Sequence, residues 1–208
     1  MPSRIDRCAA SAAPLAIILA AGAGAHAQFL EPDATIIHQF DGPAPGVGAS
    51  YGWAVAELTD IDGDGVLDAI LAEPFAPLTD PDGNTTFPGR TEVRSGRTGA
   101  LLLDIAAPGN NSVGYAIADA GDVNADGVHD ILSTGPFSGG IAYVYSGADG
   151  STLLTIAPPV SPSAFGIAGA SAGDINNDGH ADVMVGGLSG GGGQGQVNVF
   201  SGADGSIL

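Results

Sequence analysis

The sequence predicts an all-β protein built from antiparallel four-stranded units, and three observations predict it. Short apolar runs recur as DAILAE from Asp68, DILSTG from Asp130 and DVMVGG from Asp182. They have strand composition and are too short for periodic helices. Glycine supplies 34 of the 208 residues, which suits many tight turns and closely approaching backbones. One acidic string is written three times, as DIDGDGVLD from Asp60, DVNADGVHD from Asp122 and DINNDGHAD from Asp174. A fixed long period of this kind marks a repeat architecture.

Each unit reads in the same order. It opens on a phrase of alternating small and apolar residues, SYGWAVAELTD at Ser50, SVGYAIADAGD at Ser112 and AFGIAGASAGD at Ala164. That phrase suits a closely packed inner strand. The acidic loop follows, then the apolar strand. A third stretch runs GRTEVRSGRTGALLLDI from Gly89, GIAYVYSGADGSTLLTI from Gly140 and GQVNVFSGADGSIL from Gly195. There a β-rich segment enters an SG-x-x-G reversal and leaves as another apolar segment. About four antiparallel strands per unit, with a reversal every dozen residues, describe the blades of a β-propeller. Three blades are visible, over 50–111, 112–163 and 164–208, which implies a partial or open array. Residues 28–49 form an N-terminal segment, with an outer strand expected near Thr35–Phe40. The first unit carries an insertion, PFAPLTDPDGNTTFP, between Pro74 and Pro88, read as a surface loop.

Residues 1–27 have the form of a secretory signal: Arg4 and Arg7, an apolar stretch over 12–25, then Ala25-His26-Ala27 as a small-x-small cleavage site. The expected location is secreted, extracellular or at the cell surface, with no stable membrane insertion once the signal is cut. The whole chain has a formal charge of -18 and no lysine. Such a charge opposes binding to nucleic acid and to anionic membrane surfaces. The single cysteine, Cys8, lies in the signal, so disulfides are not expected to staple the remainder.

The acidic loops supply that staple in another form. Oxygen donors at relative positions 1, 3, 5 and 9, glycine at 6 and a backbone carbonyl at 7 suit a small hard cation such as Ca²⁺. In the first loop the donors are Asp60, Asp62, Asp64 and Asp68, with the Val66 carbonyl. In the second they are Asp122, Asn124, Asp126 and Asp130, with the Val128 carbonyl. In the third they are Asp174, Asn176, Asp178 and Asp182, with the His180 carbonyl. About three Ca²⁺ per chain are expected. Asp, Asn and Gly also cap ordinary turns, but three copies at identical offsets, with like charges packed together, favour metal. A helical EF-hand does not fit, because Leu71, Ser133 and Val185 stand where its twelfth-position glutamate belongs.

The combination of Tyr51-Gly52, Val113-Gly114 and Phe165-Gly166 with three D-x-[DN]-x-D-G-x-x-D loops resembles the FG-GAP repeat of integrin α-subunit propellers and of secreted bacterial relatives. The resemblance covers roughly 50–208. Its "GAP" element is degenerate here, near Glu73-Pro74, Thr134-Gly135-Pro136 and Val185-Gly186-Gly187. It implies calcium loops between the first two strands of each blade, on one rim, and adhesion or ligand binding through loops on the other. Family propellers commonly close with seven blades, so further blades or self-assembly are expected. The resulting expectation is a secreted calcium-binding module that binds a protein or glycan. The alternatives are a structural repeat of a larger surface protein, or a hydrolase or lyase on a propeller scaffold. No catalytic residue or cofactor site stands out. His129 and His180 sit in the acidic loops, and Ser146 and Ser201 lack a nucleophile elbow.

Overall fold

A computed structural model describes residues 37–42, 50–159, 163–190 and 194–208. The expected signal segment lies outside the described residues, as does most of 28–49. The chain divides into Met1–Gln39 and Phe40–Leu208. In the first unit only residues 37–39 are described, and they form no strand. The outer strand expected over 35–40 is not formed by its described part.

The second unit is all-β. In chain order, β1 (Ala54–Leu58), β2 (Asp68–Glu73), β5 (Arg90–Arg94) and β6 (Leu101–Ala106) make an antiparallel sheet in that spatial order. Strands β7 (Ala116–Gly121), β8 (Asp130–Gly135), β9 (Ile141–Tyr145) and β10 (Thr152–Ile156) repeat the arrangement. The third sheet holds β11 (Ser163–Gly173), β12 (Asp182–Gly190) and β13 (Gln194–Phe200). There Ile207 bridges back to Phe200, in the place where β6 and β10 begin in the earlier sheets. These meandering sheets are the expected blades. Nothing among the described residues closes them into a ring.

The register explains how the blades stack. Successive residues of a strand face opposite sides of its sheet, and both faces of β8 are used. Ile131 joins Leu58, Ile70, Val93, Ile105 and Tyr145 in the core between the first two sheets. Its neighbour Leu132 joins Val144, Phe165, Val183 and Phe200 in the core between the second and third. This is why Ile131 and Leu132 are apolar in succession, without alternation. Ser133 and Thr134 occupy the same two faces but are paired: Ser133 Oγ lies 3.0 Å from Thr91 Oγ1, and Thr134 Oγ1 donates to the Gly166 carbonyl at 2.6 Å.

The insertion is more ordered than a plain loop. Within it β3 (Leu78–Thr79) pairs with β4 (Thr85–Thr86) as a short hairpin. Its turn is held by Asp80, whose carboxylate accepts the Asp82 and Asn84 backbone N–H and the Asn84 amide. These bonds hold the Asp80 carboxyl below its ordinary pKa, the Asn84 amide contributing most.

Candidate metal centres and the opposite rim

All three acidic loops join the first strand of a sheet to the second, so all three lie at one end of the stack. Each loop turns on glycine at its sixth position, with φ of 86° at Gly65, 89° at Gly127 and 91° at Gly179. The fourth position is also left-handed, which Gly63 takes freely and asparagine tolerates, but which strains alanine. Ala125 and Asn177 hold φ of 61° and 59° there.

The position-1 aspartates collect backbone donors. Asp60 accepts the N–H of Gly63, Asp64 and Gly65. Asp122 and Asp174 each accept two N–H groups, from Asp126 and Gly127 and from Asp178 and Gly179. At position 5, Asp64, Asp126 and Asp178 accept the N–H of Val66, Val128 and His180. Bonds to the ionised form favour it. Thus the Gly65 N–H, chiefly, lowers the Asp60 pKa, and the Asn176 amide, chiefly, lowers that of Asp178.

Position 9 does different work. Asp68, Asp130 and Asp182 are 2%, 0% and 0% exposed, so each is a carboxylate inside the protein. One oxygen accepts the N–H of the loop's second residue: Ile61 at 2.9 Å, Val123 at 2.7 Å and Ile175 at 2.9 Å. The other accepts the N–H of the glycine in the SG reversal: Gly96 at 3.1 Å, Gly147 at 3.0 Å and Gly202 at 3.0 Å. One side chain therefore ties the acidic loop to the turn between the third and fourth strands. A Cβ on any of the three glycines would overlap the carbonyl oxygen of the loop's eighth residue, at Leu67, His129 and Ala181. Burial is the main cause of the raised Asp130 pKa, and the Gly147 and Val123 N–H groups oppose it.

The first loop gathers its carboxylates most closely. Ligand oxygens of Asp60, Asp62 and Asp68 lie within 4.8 Å of one another. Asp64, expected beside them, is held instead by Ser95 Oγ at 3.3 Å and by Arg97, whose Nε lies 3.4 Å from its carboxylate. In the other loops an asparagine stands at position 3 and donates to the position-5 aspartate, Asn124 to Asp126 and Asn176 to Asp178, each at 2.8 Å. The donor set is all oxygen, carboxylates with amide carbonyls, which is the chemistry a calcium ion takes and a thiophilic metal does not.

The far end of the sheets carries a feature that sequence reasoning missed. Trp53, Phe75, Phe137 and Tyr115 form a closed circuit of ring contacts, with centroids 5.5, 5.9, 5.8 and 5.2 Å apart in turn. Trp53 is 51% exposed and Phe137 45%. Trp53 and Tyr115 each follow the glycine of an opening phrase, and Phe75 and Phe137 end the matching tripeptides EPF and GPF. That correspondence between repeats was the available signal. The side chains of His129, His180, Ser146 and Ser201 are all hydrogen-bonded. His129 Nδ1 lies 2.9 Å from Asp119, and His180 Nδ1 lies 2.7 Å from the Val123 carbonyl. Ser146 and Ser201 Oγ accept backbone N–H groups within their own turns.

Comparison with known proteins agrees with this repeat. A family model described as an FG-GAP-like repeat matches residues 122–185, which runs from the second acidic loop through the third. Residues 122–185 are thus FG-GAP-like repeat sequence. The chain is similar to integrin alpha-3 of Cricetulus griseus, at 28% identity over 153 residues, covering 69% of the chain and 14% of the relative. It is also similar to integrin alpha-V of Gallus gallus, at 28% identity, covering 66% of the chain and 15% of the relative. Integrin alpha-E of Mus musculus is 30% identical over 66% of the chain and 13% of the relative. The chain thus spans about one seventh of the length of these relatives. The homology is distant. Among the described residues no helix is long and apolar enough to cross a membrane.

Proposed function

We propose that this FG-GAP chain is a secreted binding or adhesion module whose acidic loops hold calcium and whose opposite rim meets a protein or glycan. The observation that carries this reading is the division between the two ends of the sheets. At one end stand three copies of an all-oxygen loop, each tied into its own sheet by a buried aspartate. At the other stand partly exposed aromatic rings beside the 74–88 hairpin. Clustered carboxylates repel one another unless a cation offsets them, and contiguous exposed apolar surface marks a site of interaction. Resemblance to integrin α chains supports the same reading.

The residues that would hold the ions are Asp60, Asp62, Asp64, Asp68 and the Val66 carbonyl; Asp122, Asn124, Asp126, Asp130 and the Val128 carbonyl; and Asp174, Asn176, Asp178, Asp182 and the His180 carbonyl. Calcium would supply positive charge and cross-linking, with no part in bond making. The module reading outweighs an enzymatic one because His129, His180, Ser146 and Ser201 are each engaged in hydrogen bonds that serve the fold.

Isothermal titration should find about three Ca²⁺ per chain, with affinities on the order of micromolar to millimolar. Asp64→Ala, Asp126→Ala and Asp178→Ala should each remove one ion and lower thermal stability. An EDTA-stripped chain that melts identically with and without millimolar calcium refutes the metal assignment. For the ligand rim, Trp53→Ala combined with Phe137→Ala should abolish binding on a glycan or matrix-protein array while leaving calcium uptake intact. Binding that survives both substitutions places the contact elsewhere.

A further inference from the structure

The three loops are not equivalent, and two side chains set the first apart. After the SG pair the repeats read Arg97, Ala148 and Ala203. Arg97 reaches across to the first loop, where its Nη2 donates to the Asp64 carbonyl at 2.6 Å and its Nε lies 3.4 Å from the Asp64 carboxylate. The first loop is also the one with a carboxylate at position 3, Asp62 against Asn124 and Asn176. The two exceptions compensate. Four carboxylates and Arg97 give the first loop a charge of -3, and three carboxylates give each of the others the same value. The position-5 aspartate is covered in every case, by a neutral amide in the second and third loops and by a guanidinium in the first.

We propose that Arg97 is a resident counter-ion of the first loop, which holds that loop in shape without metal and makes it the weakest of the three for a divalent cation. The proposal rests on the calcium reading given above. The net charge of the three loops is equal, so the difference lies at Asp64, which must exchange a charged arginine for the ion before it can act as a ligand. In the other loops the position-5 aspartate exchanges only a neutral amide. Arg97 is 55% exposed, so its replacement leaves no buried gap and the variant should fold.

The test is calcium titration of the full chain by calorimetry, with wild type, Arg97→Ala and Arg97→Gln, the last keeping a donor without the charge. Wild type should show two tighter sites and one weaker, and both variants should tighten the weak site on the order of tenfold. Asp64→Ala should remove that weak site, and Asp126→Ala a tight one. In EDTA, Arg97→Ala should also accelerate hydrogen exchange at the Asp64–Val66 amides and leave the Asp126–Val128 amides unchanged. Three equal wild-type sites, or a weak site indifferent to both Arg97 variants, overturns the Arg97 proposal while calcium binding stands. No uptake by any of the proteins overturns the calcium reading and the proposal with it.

Discussion

Replacing Gly147 by alanine tests the clamp between an acidic loop and its SG reversal. The new Cβ would overlap the His129 carbonyl oxygen, so the turn must move away from the loop. That movement stretches the Gly147 N–H to Asp130 bond, now 3.0 Å, and Asp130 has no exposure to recover the loss from water. Leaving a buried acceptor short of a donor costs about 1–3 kcal/mol, and forced displacement in a packed region adds about 1–3 kcal/mol. The expected destabilisation is therefore about 2–6 kcal/mol, a large part of the ~5–15 kcal/mol that holds a typical domain together. Urea unfolding in EDTA gives the comparison, with the midpoint shifting at constant m. Gly202→Ala should behave alike, since Gly202 stands against the Ala181 carbonyl and donates to Asp182. Gly127→Ala is the control. Its Cβ meets nothing within 4 Å, so only the left-handed φ is penalised, by about 1–2 kcal/mol. If Gly147→Ala is no worse than Gly127→Ala, the clamp does not carry the loop.

Ala125→Gly should raise the urea midpoint, because alanine is held at φ 61°; relief of ~1–2 kcal/mol outweighs the ~0.5–1 kcal/mol entropic cost of glycine. Tyr145→Phe should be neutral or stabilising by up to ~1 kcal/mol in calorimetric melting, since the Tyr145 hydroxyl is buried without a partner and the third repeat carries Phe200 at that place. On acidification the metal-free chain should lose stability below about pH 4, followed by urea midpoints at successive pH values. Asp60, Asp104 and Asp178 have lowered folded-state pKa values, through the Gly65 N–H, Arg90 and the Asn176 amide respectively. Their contribution is present above the ordinary carboxylate pKa and is lost as pH falls through the depressed ones. Asp130, raised by burial, acts in the opposite sense, and Asp130→Asn should flatten its share of the profile.

Strand positions were legible because two-faced burial writes itself into composition. The runs starting at Asp68 and Asp130 match β2 and β8, and the run at Asp182 continues further, as β12. The acidic loops were legible because their offsets repeat. What the sequence concealed joins residues distant along the chain. Asp68, Asp130 and Asp182 looked like members of a ligand set equal to their neighbours, yet they are the buried members that reach the SG turn 17 to 28 residues away. A signal existed: the glycine following serine is kept at 96, 147 and 202 while the residue after it changes. Its backbone there is not left-handed, so the requirement is steric and invisible to turn rules. The aromatic circuit was hidden for a related reason, since it draws two rings from each of two repeats and no single repeat contains a cluster. The insertion looked like open loop because its two-residue strands are below the length at which alternation can be read.

The asymmetry between the two rims follows from these contacts. At the loop end each acidic string keeps the same offsets, because a buried carboxylate must meet two backbone donors at once, and an inserted residue would pull one of them out of reach. The second and third loops are further joined, with the Ala181 N–H donating to the Asp122 carbonyl at 2.9 Å and His180 against the Val123 carbonyl. At the other end the connections answer to no such condition. There the first repeat accepts a hairpin between β2 and β5, the second a short SGG turn, and the residues flanking the opening glycines range from Trp53 to Tyr115 to Ile167. A scaffold that fixes one rim by internal bonds leaves the other free to vary in length and chemistry without loss of fold, and recognition surfaces arise where variation is tolerated.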